Sequence, residues 1–544
     1  MNTRQLQTDK NQKLYHALLG ILLVCALAMM MLLSYWACKY SYYGAVDGRT
    51  RGVLVGDKTW AHIAVFLATS LCTMGIDKVL MKKDKSQQEK ICLCTLIVTS
   101  VIAFILGVFY VCKNPYYPVG DQINTTAFAA YCRDGNFSML SIGGYVGMYQ
   151  QQKGLAILYE ILFTLFGDFN YRPAKILHVV WWILTILAGY GFLKLNTDRP
   201  VFRMLYCVMM LGCFPLLFYL PYIYGDVLSI SFGIILFYGV AAYEHSGQKR
   251  YIALASFAAG LAVLARKNTW IVLVAVAVYV LLVSLRKKKV RYLMAGTAIL
   301  LTAALSVKAV DVIYEVRSGY PSGVGVPSIL WVAMGLQETE GRAGVYNRYQ
   351  QATFTDYDCQ QELAAQQGKE YIRERLEEFS QDPGMAFDFF KNKLEGQWIE
   401  PMYAALESTE SFEEGAELSP VLESLYYGEL GRTIWKLTNY YQSILYLAGL
   451  MALVMLGILW WKKKEVPISL WLPWIAVFGG FLFSILWEAK SRYVFPYCVF
   501  MILYAPEGLY QTGLLLCKLP KLRKFKKSGH TQDKGEEASL RETA

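Results

Sequence analysis

The chain has 544 residues, of which 55% are hydrophobic and only 17% charged, with a mean hydropathy of +0.31. That balance excludes an ordinary soluble globular protein and points to a polytopic membrane protein with room for a soluble insertion. The net charge of +11 does not indicate nucleic acid, because the Lys and Arg residues cluster in short loops between apolar runs, the pattern of the positive-inside rule.

About 20 apolar residues are needed to cross a bilayer. On that measure the predicted spans, in chain order, are 14–36, 60–79, 91–112, 173–193, 204–222, 227–243, 250–265, 268–285, 290–309, 441–461, 468–487 and 493–512. The first run, about Tyr15 to Trp36, is too long for a signal-peptide core and has no clear small-residue cleavage site, so it reads as a retained helix. With the N-terminus inside, the inner loops hold Lys82, Lys83, Lys85 and Lys90, then Lys194, Arg199 and Arg203, then Lys249 and Arg250. Arg286 to Lys289 with Arg291, and Lys462 to Lys464, follow on the same side. Both termini are therefore expected in the cytoplasm of a plasma-membrane protein. Loop 37–59, with Lys39, Arg49, Arg51 and Lys58 outside, is the exception. The scheme also requires that Gly154–Gly167, too short to span, be a re-entrant or interfacial helix.

The expected fold class is an all-α polytopic membrane protein with about 12 transmembrane helices, interfacial or re-entrant helices and one mostly helical extracytoplasmic domain. The predicted divisions are membrane helices over 1–112, an outer loop over 113–172, central membrane helices over 173–310, the extracytoplasmic domain over 311–440, C-terminal membrane helices over 441–515 and a basic tail over 516–544. Within 311–440, Pro321, Gly323, Gly325 and Pro327 mark a turn-rich entry. Asp358 to Glu378, with Leu363, Tyr371, Ile372 and Leu376 among acids and amides, reads as an amphipathic helix. The tail after Ser528 is charged, poor in aromatics and expected to be disordered. Most cysteines fall in apolar runs as small hydrophobes. Cys112 and Cys132 lie in outer segments, where one disulfide or two free thiols both fit. The five histidines are scattered, which argues against a His-based metal site. No P-loop, dinucleotide fingerprint, HExxH or nucleophile elbow stands in a suitable context.

The segment Tyr117-Pro118-Val119-Gly120-Asp121-Gln122 is the most informative. It follows an apolar run that ends near Cys112, and Ile123, Ala127, Ala130 and Tyr131 then recur at helical spacing, as in a helix lying along an interface. Asp121 sits at or just before that helix's N-terminus, where the helix dipole favours a charged carboxylate. Such a group can act as general base toward an acceptor hydroxyl or amine, or can be a plain N-cap.

The order of Gly120-Asp121-Gln122, Tyr131 to Gly135, Gln152-Lys153-Gly154-Leu155, Leu165-Phe166-Gly167 and Arg172 resembles that of the GT-C superfamily of membrane glycosyltransferases. The branch it resembles is the protein-mannosyltransferase and aminoarabinose-transferase one, glycosyltransferase family 39-like. The similarity covers roughly 113–290. It departs from the family at Gln122, where an acid is frequent, and in having two extra helices before the acidic loop. The resemblance implies transfer of a sugar from a polyprenyl-phosphate donor to an extracytoplasmic acceptor, a lipid, polysaccharide or protein. Asp121 then matches the catalytic base.

Arg266 and Lys267, at the end of the Gly260-Leu261-Ala262-Val263-Leu264 helix, would hold the leaving phosphate, or else snorkel to headgroups. Arg492, in Trp487-Glu488-Ala489-Lys490-Ser491-Arg492-Tyr493, and Lys153 are further phosphate candidates. Gln122, Asp226, Arg172 and Glu488 are candidates for sugar or acceptor. Capping, ion pairing and headgroup anchoring are the alternatives for these. The partners expected are the lipid-linked donor, membrane lipids and cell-envelope assembly proteins through 311–440. A flippase for lipid-linked sugars, a polysaccharide polymerase or ligase, and a non-catalytic assembly subunit are the rival readings.

Overall fold

The computed structural model describes residues 3–43, 53–323, 325–464 and 466–518. Arg49 and Arg51 of the exceptional loop, and the tail beyond Lys518, lie outside the described residues. The protein is all-α, with 78% of it helical.

Three long helices come first: α1 (Thr3–Lys39), α2 (Thr59–Leu80) and α3 (Lys85–Lys113), with a small hairpin of β1 (Tyr40–Tyr43) and β2 (Val53–Gly56) between the first two. Three shorter helices follow: α4 (Asp121–Arg133), α5 (Tyr145–Met148) and α6 (Lys153–Phe166). The central set is α7 (Arg172–Asn196), α8 (Pro200–Leu211), α9 (Phe214–Phe218), α10 (Asp226–Ser246), α11 (Lys249–Ala265), α12 (Trp270–Lys287) and α13 (Val290–Ser318). A helical insertion comes next, with α14 (Ile329–Gly335), β3 (Glu338–Thr339), β4 (Arg342–Ala343), α15 (Tyr349–Asp356), α16 (Gln361–Gln381), α17 (Pro383–Trp398) and α18 (Pro420–Tyr427). The chain ends in α19 (Glu429–Trp461), α20 (Leu472–Leu486), α21 (Ser491–Met501) and a last helix, α22, over 505–518.

Among the described residues nine helices are long and apolar enough to cross a membrane, and on that evidence the chain is a helical membrane protein. Their outward faces carry side chains such as Val24, Ile105 and Phe109, an arrangement that water would penalise and lipid would not. These nine correspond to nine of the about 12 expected spans; the other three are short or broken. The run 204–222 divides into α8 and α9 around Gly212 and Cys213, just before Pro215. The run 493–512 divides into α21 and α22 around a turn at 502–504, just before Pro506. Proline lacks the N–H that a continuing helix uses, and its ring collides with the preceding turn. The run 250–265 forms α11, a helix of 17 residues.

The innermost span is α10, most of whose residues are buried; it packs on α7 and α11, while α11 also packs on α13, and α1 on α19. α13 continues past residue 311 to Ser318. Its last turns are polar yet satisfied by α6: Lys153 Nζ meets Asp311 Oδ1 at 2.5 Å, and Arg317 meets Glu160 at 2.6 Å. The insertion thus spans 319–428. It packs through α17 on α20 and α21, and the Tyr117 N–H donates to the Ser411 carbonyl at 2.9 Å. The amphipathic pattern at 358–378 appears as α16. All twelve cysteines are free thiols.

Candidate functional site

Gly120 adopts a left-handed φ of 59°, a conformation that costs glycine little, and this turn starts α4 at Asp121. The Asp121 carboxylate is exposed and sits in the first helical turn, where unpaired backbone N–H groups favour negative charge. Tyr145, from α5, donates its hydroxyl to Asp121 Oδ1 at 2.8 Å. That bond restrains the carboxylate through one of its two oxygens.

The cationic half comes from three chain breaks. Arg266 ends α11 in an extended conformation, Asp226 begins α10, and Arg492 lies in the first turn of α21. Gly225 makes the first two neighbours: a Cβ there would lie 2.0 Å from the Ala265 carbonyl oxygen and 3.0 Å from Arg266 Cγ, so only glycine lets α10 start this close to the end of α11. The Asp226 side chain, 4% exposed, lies between the two guanidiniums, 3.6 Å from Arg266 Nη1 and 3.8 Å from Arg492 Nε. Neither separation is a hydrogen bond. Asp226 Oδ2 and Arg492 Nε are both buried without a hydrogen-bond partner, an expensive state unless something else enters the gap.

Tyrosines enclose these cations. Arg266 stacks over Tyr224 at 4.8 Å and Tyr493 at 5.5 Å, and Arg492 over Tyr222 at 5.2 Å and Tyr224 at 5.4 Å. Gln152 donates to the Tyr224 hydroxyl at 2.5 Å. Desolvation opposes the charge on Arg266, but Asp226, the two tyrosines and Asp121 together hold its pKa above the ordinary value. Asp121 therefore lies within electrostatic reach of the guanidinium. Glu488, buried, accepts from Tyr493 at 3.3 Å. Burial pushes its carboxyl upward, and Asp121 adds to the rise.

The structure thus brings Asp121, Asp226, Arg266, Glu488 and Arg492 into one region. Four other sequence candidates lie elsewhere or are occupied. Gln122 is buried and its carboxamide is spent on Tyr116 and the Val119 carbonyl. Lys153 is paired with Asp311 and donates to Ser322 at 2.8 Å. Arg172 is exposed at the start of α7. Lys267 donates to Ser328 Oγ at 3.4 Å and lines both a 340 Å³ cavity with Lys153 and a 90 Å³ cavity with Arg266.

The smaller cavity is lined by residues that the sequence does not single out, including Gln152, Trp331 and Trp487. The two indoles stack with ring planes 4° apart. Their one signal in the sequence is adjacency, since Gln152 precedes Lys153 and Trp487 precedes Glu488. Trp331 belongs to the insertion, and nothing local announces it. Among the described residues no group of three His, Cys, Asp or Glu side chains is placed to hold a metal ion.

A carboxylate bonded to a tyrosine, in the same region as two guanidiniums of which Arg492 has a buried Nε without a partner, can accept a proton while the guanidiniums bind an oxyanion. Comparison with known proteins returns no match to this chain among family models, curated sequences or solved structures.

Proposed function

We propose that this protein is an integral membrane glycosyltransferase of the GT-C type, moving a sugar from a polyprenyl-phosphate carrier to an extracytoplasmic acceptor. The reading is carried by one observation: Asp121 lies within electrostatic reach of Arg266, and both Arg266 and Arg492 approach Asp226 without a direct hydrogen bond to it. A phosphate oxygen suits that arrangement, because a planar guanidinium binds oxyanions through paired N–H groups.

In the proposed step the acceptor oxygen or nitrogen attacks the anomeric carbon while the bond from that carbon to the phosphate oxygen breaks. The phosphate leaves with the electron pair and is neutralised by Arg266 and Arg492. The acceptor's proton passes to Asp121, which Tyr145 holds in line. Asp226 keeps two like charges together in a buried place when the phosphate is absent. The basic loops support an extracytoplasmic position for this end and cytoplasmic termini. The short segments α8–α9, α11 and α21–α22 are read as completing the membrane domain alongside the nine long helices, and the insertion as the extracytoplasmic domain.

The test is Asp121→Asn, assayed in membranes with mass spectrometry of surface glycans and lipids as readout. Transfer should fall about 10²- to 10⁴-fold, the usual contribution of a general base, with insertion and unfolding temperature unchanged because the side chain is exposed. Wild-type turnover in Asp121→Asn overturns the assignment.

A further inference from the structure

The 90 Å³ cavity beside Arg266 is lined by two cations, Arg266 and Lys267, and among the described residues none of the side chains around it is acidic. Both cations are accessible: the Arg266 side chain keeps 13% of its surface exposed, and Lys267 is exposed. Asn268, half-buried, and Gln151, exposed, add side-chain amides that make no hydrogen bond among the described residues. A water needs at least about 10–15 Å³ of such space, so the cavity holds roughly six to nine water-sized groups. That is nearer the seven oxygens of a diphosphate than the four of one phosphate.

The local charges do not balance against a single phosphate. Asp226 lies 3.6 Å from Arg266 and 3.8 Å from Arg492, so these three carry one net positive charge. Glu488 and Lys490 act on each other and cancel, and Lys153 is neutralised by Asp311 at 2.5 Å. Lys267 is left as a second positive charge. Its side chain donates to Ser328 Oγ, and no carboxylate acts on it among the described residues. A sugar joined to a lipid through one phosphate brings one negative charge; joined through a diphosphate it brings two. An unmatched cation beside a low-dielectric region favours the ligand that supplies the second charge.

The site also continues into an apolar one. The 90 Å³ cavity shares Gln151, Lys267 and Ser328 with the 340 Å³ cavity. One wall of the larger cavity is built from Val263 and Leu264 of α11, Trp270 of α12 and Val307 and Val310 of α13. A headgroup held at Lys267 would thus send its chain along α12 and α13, two of the helices long and apolar enough to cross a membrane.

We infer that the lipid donor is linked to its sugar through a diphosphate, a departure from the polyprenyl-phosphate donor that the family resemblance implies. The phosphate next to the sugar lies at Arg266 and the one next to the lipid at Lys267, where the two cavities join. The inference rests on the glycosyl-transfer reading for the word donor. As the bond from the anomeric carbon to the nearer phosphate oxygen breaks, the electron pair stays on that oxygen. The lipid diphosphate then leaves with one more negative charge than the donor carried, and the acceptor's proton goes to Asp121. Arg266 binds the departing oxygens through paired N–H groups, and Lys267 meets the outer phosphate as a point charge.

The experiment measures binding of geranyl diphosphate, geranyl monophosphate and inorganic pyrophosphate to the full-length protein in phosphatidylcholine nanodiscs, by calorimetry at neutral pH with empty nanodiscs as blank. Geranyl diphosphate should bind at least fivefold more tightly than either of the others. Lys267→Gln, at an exposed position, should cut the preference over the monophosphate to less than twofold by weakening the diphosphate alone, whereas Arg266→Gln should weaken both lipids. Equal affinity for the two geranyl compounds, or a preference that survives Lys267→Gln, overturns the inference and leaves transfer from a monophosphate carrier standing. Pyrophosphate binding as tightly as geranyl diphosphate overturns the attachment to a lipid. A preference that depends on Lys267 supports the diphosphate site even if Asp121→Asn transfers at the wild-type rate, an outcome that removes only the base assignment.

Discussion

Replacing Asp226 by Asn keeps the shape of the side chain and removes the one negative charge between Arg266 and Arg492. At 3.6 and 3.8 Å each ion pair is worth roughly 4.5 kcal/mol of gross attraction at an effective dielectric of about 20. Part of that is spent on desolvation, so the net cost of breaking a buried pair by removing one partner is about 3–5 kcal/mol. The two guanidiniums, now uncompensated, should also bind a phosphate more tightly than before. Stability and anion affinity therefore move in opposite directions. The assay is thermal unfolding of the detergent-solubilised protein, followed by tryptophan fluorescence, with and without pyrophosphate. Asp226→Asn should unfold at a lower temperature, and pyrophosphate should restore much of the difference, since a ligand at 100 times its Kd contributes about 2.7 kcal/mol. The same addition should help wild type less. If Asp226→Asn unfolds like wild type, or pyrophosphate stabilises both proteins equally, the guanidiniums are not an anion site held in check by Asp226.

Tyr145→Phe removes the 2.8 Å bond to Asp121; a bond to a charged group is worth about 1.5–3 kcal/mol, so transfer should fall about ten- to a hundredfold, with a loss of stability no larger than that energy. Gly225→Ala puts a methyl group 2.0 Å from the Ala265 carbonyl oxygen, so both stability and transfer should fall, and a fully active variant would show that the two helix ends need not meet. Lys393, 1% exposed, has its pKa lowered from 10.5 to about 7 by burial. Between those values the unfolded chain holds a proton that the folded one has released. Stability in wild type relative to Lys393→Met should therefore rise with pH from about 7 to 10, at up to about 1.4 kcal/mol per unit, as read from denaturant midpoints; a flat difference would refute it. Glu160→Gln should weaken the docking of α6 on α13, where Arg317 makes bonds of 2.6 and 3.0 Å to that carboxylate, with an interaction energy of about 1 kcal/mol in a double-mutant cycle with Arg317→Ala.

Local sequence determined the helices. Apolar runs long enough to span, the helix start near Asp121 and the amphipathic stretches that became α4 and α16 all follow from spacing and composition, since one helix face must avoid water whatever lies opposite it. It also marked Asp121, Asp226, Arg266, Glu488 and Arg492, because charges beside apolar runs stand out.

Where the helices break and which charges meet were left to tertiary packing. Pro215 and Pro506 sit at the breaks of two runs whose hydropathy is continuous, and a third run forms the 17-residue α11, which leaves nine long spans among the described residues. Lys153 and Arg266 look alike in sequence, each a basic residue at the end of an apolar segment. Only the folded chain sends one to Asp311 on α13 and the other to Asp226 on α10. A charge's partner is fixed by contacts between segments far apart in the chain, as between Asp226 and Arg492 or Lys153 and Asp311, and no local pattern encodes that pairing.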